Sequence, residues 1–166
     1  MKVRAFIGMG SNVGDRHAHC AEAQTRLGRL PETELLRVSP LVETEAAEGV
    51  AGGPFLNGVA ELTTALSPLD LLRALRAIED ALGRPPGHPP GTARTIDLDI
   101  LLYGDRIVRE VGLDIPHPRL AQRRFVLEPL VALAPNVRHP VLNLSAADML
   151  RGLEAAAPPR PASDAL

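Results

Sequence analysis

The stretch Arg94-Thr95-Ile96-Asp97-Leu98-Asp99-Ile100-Leu101-Leu102 constrains this chain more than any other. Apolar and polar residues alternate along it, which is the period of a β-strand with one face in a core and not that of a helix. Read as a strand over residues 95–103, it turns Ile96, Leu98, Ile100 and Leu102 to one face and Thr95, Asp97 and Asp99 to the other. Side chains two apart on a strand point the same way, about 7 Å from each other. Two carboxylates so placed repel unless a cation stands between them. Mg²⁺ meets that need, because it takes oxygen ligands and keeps waters or phosphate oxygens in the rest of its shell. Two such ions about 4 Å apart clamp a transferring phosphoryl group. A solvated polar face opposite a core face is the plainer alternative.

The segments around this strand set the fold class. Residues 2–7 read as a strand, residues 8–14 as a turn-rich loop, and Asp15 as the cap of a helix running to about Arg29. Residues 35–43 and 55–64 read as two further strands, separated by a small-residue loop. Ser67 at N-cap, Pro68 at N1 and Asp70 at N3 open a helix whose stripe is Leu71, Leu75, Ile78 and Leu82, and Gly83 closes it. Residues 85–93 are too rich in proline and glycine for a helix. After the acidic strand, Gly104-Asp105 predicts a turn, with residues 106–111 returning beside that strand as a hairpin. Residues 119–133 read as a helix broken at Pro129, and residues 145–153 as a last helix. The order β-α-β-β-α-β predicts an α+β, ferredoxin-like antiparallel sheet with helices on one face, plus an extra hairpin and C-terminal helices. One domain over residues 1–155 and an Ala/Pro-rich tail over 156–166 complete the expectation.

Composition removes several functions. With 18 basic and 20 acidic side chains, the net charge of −2 gives no global field to hold a nucleic acid or an anionic membrane. No apolar run approaches the roughly 20 residues that span a bilayer. Cys20 is the only cysteine, which fits a reducing compartment, and the N-terminus reads directly as a strand rather than a leader. A cytoplasmic protein is the expectation. Lys2 is the only lysine, so mechanisms that need a lysine nucleophile or a phosphate-binding lysine are excluded. No Walker A sequence is present, and Gly8-x-Gly10-x-x-x-Gly14 misses the dinucleotide spacing by one residue.

Other side chains suit phosphate and a flat ring. Between residues 84 and 124 lie seven arginines (84, 94, 106, 109, 119, 123, 124) and five acids (97, 99, 105, 110, 114). Arginine forks bind phosphate oxygens in pairs. His117 lies in this segment, within Pro116-His117-Pro118-Arg119. In Phe55-Leu56-Asn57 an aromatic and an amide share a strand face; one stacks on a planar heterocycle and the other reads its edge. Three readings stand on these residues: a metal-assisted phosphoryl-transfer enzyme, a ferredoxin-like module that binds RNA or protein, and a metal-dependent phosphodiesterase. Four aromatics and the negative charge oppose the second. The further His and Asp ligands usual at two-metal hydrolases are not evident for the third.

Taken in order, Gly8-Met9-Gly10-Ser11-Asn12, Phe55-Leu56-Asn57, Ile78-Glu79 with Gly83-Arg84, the strand from Arg94 to Gly104, and Pro116-His117-Pro118-Arg119 through Arg123-Arg124-Phe125 to Leu130 resemble the 6-hydroxymethyl-7,8-dihydropterin pyrophosphokinase family over about residues 2–150. The resemblance implies transfer of the β,γ-diphosphate of ATP to the pterin hydroxymethyl group, with release of AMP, by a monomer that needs no nucleic acid, membrane or obligate protein partner. It implies Asp97 and Asp99 as ligands of two Mg²⁺ ions and, with Arg94, as the catalytic group. Glu79, Arg84, Arg94, Ile100, His117 and Arg123 would surround the nucleotide. Thr44, Phe55, Asn57, Asp97 and Phe125 would hold the pterin. Departures lie at Phe55, where tyrosine is common, at Glu45 and Ala46, where prolines are frequent, and in the loop 85–93, which lacks the arginine and tryptophan often found there. A proline-rich loop loses less entropy on ordering, which predicts smaller loop motion on nucleotide binding.

Overall fold

The computed structural model describes residues 1–44, 53–83 and 95–156. Strand β1 (Val3–Ser11) lies inside an antiparallel sheet, between β4 (Phe55–Thr64) and β5 (Asp97–Tyr103). The far side of β4 carries β2 (Thr33–Val38) and the three-residue β3 (Val42–Thr44). The order β2-β4-β1-β5 is that of a ferredoxin-like sheet whose second strand is interrupted. Ser39 makes the interruption. Its N–H donates to the Val59 carbonyl and its Oγ accepts the Val59 N–H, both at 2.9 Å, and Pro40 then has no amide to continue the ladder.

Helices cover both faces, not one. Helix α1 (Arg16–Gly28) and helix α2 (Pro68–Ala81) bury Cys20, Ala23, Leu27, Leu71, Leu75 and Ile78 against Ala5, Ile7, Met9 and Leu98. On the opposite face α3 (Arg124–Leu133) and α4 (Ala146–Ala156) bury Leu127, Leu130 and Met149 against Phe6, Val59, Leu101 and Leu102. The second face exists because the strands are apolar on both sides at that end of the sheet. At their other end, around Gly8, Gly10, Asp97 and Asp99, the site forms. Caps follow the sequence: Ser67 Oγ accepts from Asp70 N at 3.1 Å, Asp15 Oδ1 accepts from Ala18 N at 3.1 Å, and Gly83 takes a left-handed φ of 109° after α2.

Several boundaries differ from the sequence expectation. β1 runs on to Ser11, so Gly8 and Gly10 are strand residues paired on both sides and not part of a loop. β5 starts at Asp97, because Thr95 is drawn out of the ladder: Ser11 Oγ donates to its carbonyl at 2.6 Å and its own Oγ1 donates to the Leu82 carbonyl at 2.5 Å. Leu101 is an extra residue opposite the Phe6–Ile7 step of β1. That bulge reverses the alternation, so Leu102 joins Phe6 on the α3 face while Tyr103 moves to the other core. Residues 106–111 do not pair with β5. Instead β6 (Val108–Glu110) pairs with β7 (Leu113–Ile115) around Gly112, whose φ of 79° permits the tight turn. The helical segment 119–133 is broken at Arg123, which is extended (φ −114°, ψ 101°), and not at Pro129, which stands inside α3 at the cost of one backbone bond. α4 runs on to Ala156, opened by Ser145 Oγ accepting from Asp148 N at 3.0 Å.

Candidate active site

Bare backbone makes the floor of the site. Across the sheet Gly10 stands between Asn57 and Asp97, and Gly8 between Val59 and Asp99. With no side chains at 8 and 10, a cavity of about 380 Å³ opens above them, lined by Thr44, Phe55, Asn57, Asp97, Asp99, Leu101, His117, Arg119, Arg123, Phe125 and Val126. A Cβ on Gly10 would sit 3.1 Å from Asn57 Oδ1 and 3.5 Å from the Phe55 ring, so the glycine keeps that space clear.

One end of the cavity suits a flat, edge-reading ligand. Phe55 comes from the sheet and Phe125 from the first turn of α3. Asn57 Nδ2 donates to Thr44 Oγ1 at 2.7 Å, which fixes the amide and leaves Oδ1 over Gly10 as an acceptor.

The other end suits phosphate and metal. Burial and the neighbouring Asp97 push the Asp99 carboxyl above the usual carboxylate range, against the pull of His117, Arg76 and Arg123. Two oxygen donors on one strand face, with repulsion between them, match the needs of a hard divalent ion. Among the described residues no group of three or more His, Cys, Asp or Glu side chains gathers as a metal cage. Arg123 precedes α3 and lies over the Phe125 ring, 5.5 Å from its centroid, so a guanidinium and the positive end of a helix dipole border the same space.

A second cavity, about 170 Å³, lies beyond Asp99 and His117, which line both. Leu72, Arg76, Ile100, Leu113 and Asp114 are among its other walls. His117 is held between the two. Its N–H donates to the Leu101 carbonyl at 3.0 Å, and its Nδ1 accepts the Arg119 N–H at 3.2 Å, which puts the neutral ring's proton on Nε2. Burial lowers its pKa, against an upward pull from Asp99.

Glu79 lines neither cavity. It is 2% exposed, and its Oε2 accepts the Leu98 N–H at 2.8 Å. Arg76 Nη1 donates to Glu79 Oε1 at 3.0 Å and to the Leu98 carbonyl at 2.9 Å. α2 thereby satisfies the free edge of β5 between the two aspartates. Leu98 itself is fully buried, and truncating such a leucine to alanine costs about 2–5 kcal/mol.

The structure therefore brings Thr44, Phe55, Asn57, Asp97, Asp99, His117, Arg123 and Phe125 around one cavity and Ile100 into the adjoining one. Arg84, Arg94, Glu45, Ala46 and the loop 85–93 lie outside the described residues. Arg124 turns to Glu128 and Glu154 instead. Arg119, one of the arginines suited to phosphate in the sequence, lines the larger cavity, whereas Arg76 and Asp114 are not singled out as site residues by sequence reasoning. Arg76 did carry a signal: it precedes Glu79 by three residues and so shares its helix face.

The family model described as 7,8-dihydro-6-hydroxymethylpterin-pyrophosphokinase matches residues 6–135. The 2-amino-4-hydroxy-6-hydroxymethyldihydropteridine pyrophosphokinase of Pseudomonas aeruginosa is 45% identical over 138 residues, covering 82% of this chain and 84% of that protein. The protein of the same name from Aquifex aeolicus is 39% identical, covering 82% and 83%. Folic acid synthesis protein fol1 of Schizosaccharomyces pombe is 43% identical over 136 residues, of which this chain spans only 18% of the length. The crystal structure of wild-type Plasmodium falciparum HPPK-DHPS superposes with a TM-score of 0.69 at 14% identity, covering 92% of this chain and 45% of that one, and speaks for the fold.

Proposed function

The chain belongs to the 7,8-dihydro-6-hydroxymethylpterin-pyrophosphokinase family and is a diphosphotransferase of folate synthesis, moving the pyrophosphoryl group of ATP to hydroxymethyldihydropterin; we propose that it does so across the Asp99–His117 boundary between its two cavities. That shared boundary carries the reading. The pterin ring occupies the larger cavity between Phe55 and Phe125, with its edge on Asn57 and Thr44. The nucleotide occupies the smaller one against Ile100, and its phosphates reach the boundary.

Asp97 and Asp99 would hold Mg²⁺, two ions in the full complex, whose chemistry there is to neutralise phosphate charge and lower the cost of bringing the reactants together. The chain's own groups do the rest. Arg123 and the Nε2–H of His117 bind phosphate oxygens, and the resemblance adds Arg84 and Arg94 to them. Asn57 and the two rings orient the pterin so that its hydroxymethyl oxygen faces the β-phosphorus. The oxygen attacks in line, its proton passes to solvent as the new P–O bond forms, and the bond from the β-phosphorus to the AMP oxygen breaks. Orientation and charge stabilisation supply most of the rate, with no strong base required. Glu79 acts through β5, by holding Leu98.

On this reading residues 1–155 work as one catalytic unit, and as a monomer. No helix among the described residues is long and apolar enough to cross a membrane, and a cytoplasmic location fits the substrates. The test is product identity: purified protein with Mg²⁺, ATP and the pterin alcohol releases AMP in step with a diphosphorylated pterin. AMP and free diphosphate appearing at the same rate without the pterin would instead support a phosphodiesterase, and ADP would exclude diphosphate transfer.

A further inference from the structure

An arginine outside both cavities ties together the strands that carry the ring-binding groups. Arg16 opens α1, and a single nitrogen, Nη1, donates to Glu43 Oε1 at 3.0 Å and to the Pro54 carbonyl at 2.9 Å. These partners lie 27 and 38 residues away in sequence. They are the immediate neighbours of Thr44 and Phe55, which face each other across β3 and β4 and both line the larger cavity. The turn between β1 and α1 grips the same strand end again: Gly53 N–H donates to the Asn12 carbonyl at 3.2 Å, and Asn12 Nδ2 donates to the Gly53 carbonyl at 3.3 Å.

β3 needs such help. It has three residues and, among the described residues, pairs only with β4. A short edge strand frays unless something outside the ladder holds it. The side chain of Arg16 is 25% exposed and that of Glu43 58%, so the ion pair alone is weak, and the hold on the strand ends comes from Arg16 meeting both acceptors at once.

We propose that Arg16 is a positioning residue for the pterin ring. It fixes Thr44 opposite Phe55, and through the Thr44 Oγ1 bond it fixes the amide of Asn57. It touches neither substrate, and no wall of the nucleotide cavity depends on it. This inference rests on the ring lying between Phe55 and Phe125. Its consequence is selective: loss of Arg16 weakens ring binding and leaves the nucleotide side alone.

The experiment compares Arg16→Ala, Arg16→Lys and Phe55→Ala with the unmodified protein. Ring binding is titrated by the fluorescence of the hydroxymethylpterin, and KM for both substrates, kcat and the thermal midpoint are measured beside it. Arg16→Ala is expected to weaken ring binding about tenfold, as sub-ångström misplacement of binding groups does, with ATP KM and kcat at saturation within about twofold. Arg16→Lys recovers part of the loss, because one ammonium nitrogen can meet both acceptors. Unchanged ring binding in Arg16→Ala, while Phe55→Ala weakens it, overturns the role of Arg16 alone. Equal losses for both substrates with a lowered midpoint also overturn it, since that is a general structural effect. Unchanged ring binding in Phe55→Ala overturns the placement of the ring, and the inference with it.

Discussion

Glu79 Oε2 accepts the backbone N–H of Leu98 at 2.8 Å, so a buried carboxylate on α2 holds the one residue that separates Asp97 from Asp99. β5 is the last strand on its side of the sheet, and its edge would otherwise bury an unsatisfied amide. Replacing Glu79 with alanine leaves that amide without its acceptor, at about 1–3 kcal/mol. The expected outcome is a lower thermal midpoint together with reduced kcat, because the two aspartates lose their common anchor. Glu79→Gln keeps an acceptor and recovers part of both. Calorimetry alongside steady-state kinetics checks this, and a full kcat in Glu79→Ala would show that β5 holds its shape unaided.

Asp99 makes a separable prediction about stability. Burial and Asp97 raise its pKa above the unfolded value, so the folded state takes up a proton more readily than the unfolded chain. Its ionised form therefore weakens the metal-free fold as pH rises through the unfolded value towards the folded one. Asp99→Asn should match or exceed the unmodified protein in thermal midpoint at pH 7.5 without Mg²⁺, with the difference shrinking as the pH falls towards 4. Midpoints measured in chelator across that range decide it, and a clear loss of stability at pH 7.5 would mean that the carboxylate is well compensated.

Glu61 behaves in the opposite way. Burial pushes its carboxyl up, but hydrogen bonds from Arg4 at 2.8 Å and Arg37 at 2.6 Å outweigh it and hold the pKa below the usual value. The stability it confers is present above the unfolded pKa of a glutamate and is lost as pH falls through the lowered folded value. Both arginines stand half in water, so the contribution is about 1 kcal/mol. Unfolding of Glu61→Gln and the unmodified protein should differ at pH 7 and converge in acid.

His139 fixes the turn before α4. Its Nδ1 accepts the N–H groups of Val141 at 3.2 Å and Leu142 at 3.1 Å, and burial lowers its pKa. The unfolded chain then binds the proton more readily, so this turn loses stability as pH falls below the ordinary histidine range. Hydrogen exchange at Val141 and Leu142 should quicken between pH 7 and 5.5, after correction for intrinsic rates. Equal protection at both pH values would contradict it.

Much of the site was legible because its signals are local. The alternation around Asp97 and Asp99, the Ser67 cap and the Phe55–Asn57 spacing each lie within a few residues, and each led to the right element. What stayed hidden depends on distant partners. The bulge at Leu101 follows from pairing with Phe6 and Ile7, and nothing in an unbroken Ile-Leu-Leu run marks it. Gly8 and Gly10 read as loop because glycine punctuates turns, yet here both neighbouring strands pair with them and their bareness makes the cavity floor. Arg16 reads only as the first residue of a helix, since its partners are brought to it by the fold. The arginines and the flat-ring groups announced phosphate and a heterocycle, and only the family resemblance named the pterin.

AMP formation in the Asp97→Asn and Asp99→Asn proteins, at saturating ATP, Mg²⁺ and hydroxymethyldihydropterin, tests the central claim most directly. Each variant is expected to keep its fold by circular dichroism and to lose kcat by orders of magnitude, as follows if the two substrates are joined at the acidic face of β5. Turnover near that of the unmodified protein in either variant would contradict it.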